Sequence, residues 1–368
     1  MRLSSVVKLF WIAPFALFTA CRPADEAPGK EPIDAEVLAR IEAIHETTPF
    51  ADMHGHPSRF HRSEVPRITT EELTVYRDNF MDVIAANIST DAAFSGGYIT
   101  RAGDTVPRGQ HKPAPGTAFA LTVDRMMRLQ ETIASGEAVL ADNPATVLNS
   151  RENGNVAVLP ALEGADGLEG SIENFYELHE LGLRLIQLVH FRANELGHIQ
   201  TYPYSPGGLT DFGKQVVVEA NRLGVVVDLA HANTETIMDA LVLSEHPVIF
   251  SHTGVNALHP ADRHLEDHEI RAIAEKGGVV GIWPNGSQLP DLEDMLAHID
   301  YVRDLAGIDH VGIGSDLRGM STYSAGFDSE ARFAAIAAGL LERGYSDEDV
   351  GKVMGGNFFR VWTIVTGN

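Results

Sequence analysis

Along this chain, short continuous runs of Val, Ile, Leu and Ala alternate with longer stretches whose apolar residues recur at helical spacing. The runs fall at 50–54, 81–89, 156–162, 184–190, 225–231, 248–252, 279–283 and 311–316. Runs without polar alternation suit parallel strands covered on both faces, and segments such as 213–223 and 292–305 carry the period of amphipathic helices. Strand and helix alternating through the whole chain predict an α/β protein, a (β/α)8 TIM barrel. The stretch 95–151 is too long for one crossover, so a long insertion after the second strand is expected, with a loop and two helices.

The first 21 residues do not belong to this pattern. Arg2 and Lys8 flank the start of an apolar run, 9–18, that is short for a bilayer span and is followed by Thr19, Ala20 and Cys21. We read 1–21 as a lipoprotein-type signal peptide. The small residues before Cys21 resemble a bacterial lipobox, with Phe18 where Leu is usual. Cys21 is the only cysteine, which excludes an intrachain disulfide and leaves lipidation as its expected use. A lipid there would anchor the protein to a membrane of the bacterial cell envelope. Arg22, in place of Asp, resembles the bacterial sorting pattern of the outer membrane, which implies a position facing the periplasm; simple cleavage and secretion is the alternative. Residues 22–33, with Pro23, Pro28 and Pro32, read as a tether, and 34–368 as a single barrel domain.

A length of 368 residues is ordinary for one barrel with insertions. The net charge of −23 argues against nucleic acid as a partner, because phosphate binding relies on clustered Lys and Arg. The informative polar residues stand where the apolar runs end: His54, His56, Glu163, His190, His231, His252 and Asp316. In a (β/α)8 barrel those ends share one face, where active sites are built. His54 and His56, two apart on a strand, can chelate one ion. Glu163 can bridge two ions with its two oxygens, and His231 and His252 can hold the second. Any one of these histidines alone would pass for a hydrogen-bonded core residue; their convergence argues for two divalent metal ions. Mixed nitrogen and oxygen donors make zinc the expected metal. The remaining histidines, His61 among them, read as structural.

These residues sit in stretches that resemble the membrane dipeptidase (renal dipeptidase) family: "ADMHGH", "PALEG", "LGLRLIQLVH", "GLTDFGKQVVVEANRLGVVVDLAHA", "PVIFSHTGV", "HIDYVRDLAGIDHVGIGSD" and "GGNFFRVW". The resemblance implies a (β/α)8 barrel and zinc ligands His54, Glu163, His231 and His252, with Glu163 bridging. It further implies substrate contacts from His190 and Arg263 and acid/base catalysis by Asp316. Hydrolysis of a dipeptide or similar small molecule, by water activated between the metals, is the expected reaction. His190 would be catalytic as well, stabilising the oxyanion.

Two positions depart from the family. Its first strand ends in His-x-Asp, where this chain has His54, Gly55 and His56. Its Asp-Phe-Asp-Gly is here Asp316, Leu317, Arg318 and Gly319, a charge reversal expected to make the mouth more cationic. These changes keep open a related amidase or lactonase acting on a non-peptide or N-acylated substrate. A non-catalytic envelope lipoprotein is the remaining class.

Overall fold

The computed structural model describes residues 32–62, 65, 67–94, 98–101, 104–107 and 111–367. The signal segment, Cys21 and nearly all of the tether lie outside the described residues.

Strands β1 (Phe50–Gly55) and β2 (Met81–Ile88) pair in parallel. The insertion follows, with the hairpin β3 (Tyr98–Arg101) and β4 (Asp104–Pro107) and a helix, Thr117–Ala134. A short strand, β5 (Val139–Leu140), and a second helix, Pro144–Glu152, complete it. The two helices were expected; the hairpin and β5 were not, being too short to carry a pattern of their own. The chain then alternates through β6 (Ala157–Glu163), β7 (Leu185–Gln187), β8 (Val226–Asp228), β9 (Ile249–Thr253), β10 (Val279–Ile282) and β11 (Val311–Ile313). Leaving aside β5, which pairs with β6, the main sheet runs β1-β2-β6-β7-β8-β9-β10-β11, all parallel. This is the predicted (β/α)8 barrel.

The seam between β11 and β1 has no regular ladder. A single parallel bridge, Gly55 with Leu317, joins them just above β11, supported by Asp316 N–H to His54 O at 2.8 Å and His56 N–H to Leu317 O at 2.9 Å. Asp52 reinforces the seam from within, accepting from Ser315 N–H at 2.8 Å and Ser315 Oγ–H at 2.5 Å. Burial pushes the Asp52 carboxyl up to about 6, although Ser315 and the His54 amide oppose it. Asp228 plays the same part between β8 and β9, where it accepts from the amides of Ser251 and Ala230.

Side-chain alternation separates two cores. Val83 and Ala85 of β2, Ala157, Leu159 and Ala161 of β6, Leu185, Val226, Ile249 and Val279 pack together with Phe358, Val361 and Trp362 of the last helix, Asn357–Thr366. That helix plugs the lumen at the end opposite the site. Ile84, Ile88, Val158 and Leu162 face outward into the larger core against the surrounding helices. Glu163 shares the parity of Ala157, Leu159 and Ala161, so the strand period turns its carboxylate into the lumen.

Candidate metal centre

Three of the predicted donors, His54, Glu163 and His252, lie within their strands. His190, His231 and Asp316 each come three residues after the last strand residue, so the expected strands at 184–190, 225–231 and 311–316 end early. His231 has φ 69°, Asp316 φ 46° and Arg318 φ 68°. A left-handed non-glycine residue costs about 1 kcal/mol or more, and these three border the barrel mouth together with Arg59, at φ 53°.

The donors form two clusters sharing one residue: His54, His56, Glu163 and Asp316, and Glu163, His231 and His252, all buried. His54 Nε2 is 3.3 Å from Glu163 Oε1, and His56 Nε2 is 3.2 Å from Glu163 Oε2 and 3.4 Å from Asp316 Oδ1. His231 Nε2 lies 3.6 Å from Glu163 Oε1 and 3.1 Å from His252 Nε2. Two donors about 2.1 Å from a common ion stand about 3–3.5 Å apart, so the spacings fit bound metal. His54 Nε2 and Asp316 Oδ1 are buried without a hydrogen-bond partner, an arrangement that a cation would satisfy. Asp316, expected to act apart from the ligands, thus joins the first cluster. His56 occupies that cluster as well, taking the place of the family's carboxylate.

The far nitrogens of three of the rings are held. His56 Nδ1 meets Asn87 O at 3.2 Å, and Ser251 Oγ lies 2.9 Å from His252 Nδ1 and 3.3 Å from His54 Nδ1. A ring tethered at Nδ1 presents Nε2 as the ligand atom. Burial, together with nearby cationic groups, holds His231 and His252 well below the usual histidine range, leaving them neutral with a lone pair to offer. Burial works against a charged Glu163, yet the imidazoles of His190, His56 and His54 hold it well below the carboxylate range.

His56 is the exception among the rings. Burial would lower it, but Glu163 and Asp316 outweigh burial and raise it to about 10. Below that value the metal-free ring is protonated, so metal uptake must expel a proton. Apparent metal affinity should therefore rise about tenfold per unit between about pH 6 and pH 8, with proton release on binding. Chelator competition across that range checks this; a flat affinity with no proton release would contradict it.

A cavity of about 730 Å3 opens over the clusters, lined by His56, Glu163, His190, His231, Arg263 and Asp316 among others. His190 Nδ1 is 2.8 Å from Asp91 Oδ1, and its Nε2 is 3.2 Å from Glu163 Oε1. Burial disfavours its charge, but Asp91 and then Glu163 raise it above the ordinary histidine value, which makes it a hydrogen-bond donor. Asp91 was missed, since an acid opening a single short 3-10 turn, Asp91–Phe94, after the second run has no distinguishing local signal. His61 also lines the cavity, 4.7 Å ring to ring from His56. Arg263 is buried, donates to Gln200 Oε1 and lies 5.0 Å from the Trp283 ring centroid.

Arg318 does not make the mouth cationic. Its guanidinium holds Glu330 with both Nε at 2.7 Å and Nη2 at 3.1 Å, and Nε is 3.6 Å from Glu72. The two acids offset its charge, which corrects the expected reversal.

A parallel (β/α)8 barrel with two overlapping histidine and carboxylate clusters at the C-terminal ends of its strands has the build of a dinuclear metallohydrolase. The chain belongs to the membrane dipeptidase family (peptidase family M19), whose profile matches residues 38–367. It is 32% identical over 247 residues to dipeptidase tcpJ of Claviceps purpurea, covering 65% of this chain and 58% of that protein. To dipeptidase aclJ of Aspergillus oryzae it is 35% identical over 217 residues, 56% of this chain and 51% of that protein. The matched stretch thus spans only about half the length of these curated relatives.

Among solved structures, the probable dipeptidase PvdM from Pseudomonas aeruginosa superposes with a TM-score of 0.76 at 22% identity, over 90% of this chain and 99% of that one. A Rhodobacter sphaeroides metallopeptidase, liganded with a phosphinate mimic of the dipeptide L-Ala-D-Ala, gives 0.74 at 23% identity, over 86% and 99%. At these identities the likeness establishes the fold.

Proposed function

We propose that this protein is a zinc-dependent dipeptidase. The observation that carries the reading is the pair of buried donor clusters joined by Glu163 beneath a cavity that also holds His190 and Arg263. His54, His56, Glu163 and Asp316 would hold one ion, and Glu163, His231 and His252 the other. Divalent metal bound there lowers the pKa of water towards neutrality and polarises a carbonyl. Asp316 accepts the proton at its carboxylate and passes it to the leaving amine. His190, braced by Asp91, donates to the oxyanion that develops on the scissile carbonyl. Arg263 pairs its planar fork with the C-terminal carboxylate of the substrate. The dipeptidase names of the curated relatives and the dipeptide mimic in the Rhodobacter structure agree with this assignment. The amidase or lactonase reading loses one of its two motives, because Arg318 is neutralised.

Turnover of dipeptides by purified, zinc-loaded protein tests the proposal, and no hydrolysis of any dipeptide by fully metallated enzyme would reject it. Arg263→Met should raise KM for free dipeptides by about tenfold or more, with little effect on the same peptides carrying a C-terminal amide. Equal losses on both would remove Arg263 from the carboxylate contact.

We also propose that Cys21 carries a lipid that holds the mature protein on the periplasmic face of the outer membrane. Support comes from the signal-like segment and from Arg22; no described helix is long and apolar enough to cross a membrane. Cys21→Ser should leave the protein unprocessed or release it from membranes, as fractionation would record. A wild-type protein found wholly in the soluble fraction would overturn the assignment.

A further inference from the structure

In a chain of net charge −23, the cavity wall carries five arginines, Arg59, Arg62, Arg125, Arg263 and Arg318, against two carboxylates, Glu163 and Asp316. Both carboxylates belong to the donor clusters. Arg318 is closed off by Glu330 and Glu72, and Arg263 has its place at the C-terminal carboxylate. Among the described residues, Arg59, Arg62 and Arg125 have no ion-pair partner.

Arg125 is the informative member. It comes from the insertion helix Thr117–Ala134, is only 6% exposed, and among the described residues its guanidinium makes one hydrogen bond, Nη1–H to Ser89 O at 2.8 Å. Burying a cation is costly unless its donors are met by an anion. The neighbouring acids are engaged elsewhere: Asp91 accepts from His190 and from the Phe191 amide, and Asp124 pairs with Arg128. The wall here therefore offers an anion a buried fork, with Arg59 and Arg62 nearer the rim.

The barrel order sets the direction. Ser89 directly follows β2, and Arg263 is joined to His252 O of β9, by Nη2–H at 3.4 Å. Strands β2 and β9 are four steps apart in the eight-stranded order, on opposite sides of the mouth. A dipeptide with its C-terminal carboxylate at Arg263 and its scissile carbonyl over the clusters extends its N-terminal residue towards Arg125.

We propose that the preferred substrate is a dipeptide with an acidic N-terminal residue, whose side-chain carboxylate is received by Arg125; this rests on the dipeptidase reading. Charge-assisted pairing at a buried fork distinguishes a carboxylate from its neutral amide. Zinc-loaded enzyme should therefore cleave Glu-Ala at least about tenfold better in kcat/KM than the isosteric Gln-Ala, with no such gap between Ala-Glu and Ala-Gln. Arg125→Met should bring the Glu-Ala to Gln-Ala ratio close to one, and Arg125→Lys should keep part of it. Metal content and thermal melting of each variant verify folding, and the rim change Arg62→Ala should reduce the ratio without touching the buried position.

A wild-type ratio near one, a ratio unchanged in Arg125→Met, or a preference confined to Ala-Glu would overturn the proposal. Cleavage of all four peptides at similar rates would end this inference while leaving the dipeptidase reading intact. Cleavage of none would end that reading, and titration calorimetry would then decide here: equal affinity for Glu-Ala and Gln-Ala rejects an acid-binding role for Arg125.

Discussion

Glu163→Ala should strip both metal ions from the protein and lower kcat/KM by about 1,000-fold or more, whereas His252→Ala should cost one ion. The difference follows from geometry, because Glu163 is the one residue common to both clusters. Its Oε2 faces His56 at 3.2 Å, while Oε1 faces His54 at 3.3 Å and His231 at 3.6 Å. Removing it also takes away a charge that favours the protonated forms of His190 and His56, so burial opposes those forms more strongly in the emptied site. Elemental analysis on protein shown to be folded by circular dichroism is the measurement. Two ions retained in Glu163→Ala would mean that the clusters do not share a ligand.

Asp316→Asn should lower kcat by about 100- to 10,000-fold with a much smaller change in KM. The amide cannot accept the proton that the proposed route hands to Asp316. Asparagine is the right probe on structural grounds as well: the residue has φ 46°, and Asn tolerates the left-handed region where Ala is strained. The structure adds a condition. With Oδ1 3.4 Å from His56 Nε2 and 3.8 Å from His54 Nε2, the neutral substitute also weakens the first metal position. Metal content should be measured beside the rates and matched by added zinc. Wild-type kcat in the metal-matched variant would exclude Asp316 as the proton acceptor.

The eight strands were legible because parallel strands buried on both faces must be apolar at successive positions, a local property. The donors at their ends were legible because barrel topology brings all such ends to one face. What escaped was short or depended on distance. The ladder of β7 stops at Gln187 although the apolar run continues to His190, because pairing with β8 requires a partner that itself stops at Asp228. The β3–β4 hairpin has only four residues per strand, too few for a periodic signal.

By itself the sequence determined the barrel, its family, and a set of imidazoles and carboxylates destined for one rim. The tertiary structure decided how they are grouped: Asp316 with His54 and His56, Asp91 behind His190, Arg318 turned to Glu330, and Arg125 buried across the mouth from Arg263. The reason is physical. Which face a residue reaches follows from strand period and barrel order, both written in local pattern, whereas a shared ligand or a neutralised charge depends on side-chain separations of about 3–4 Å, set only when strands distant in the chain close into one barrel.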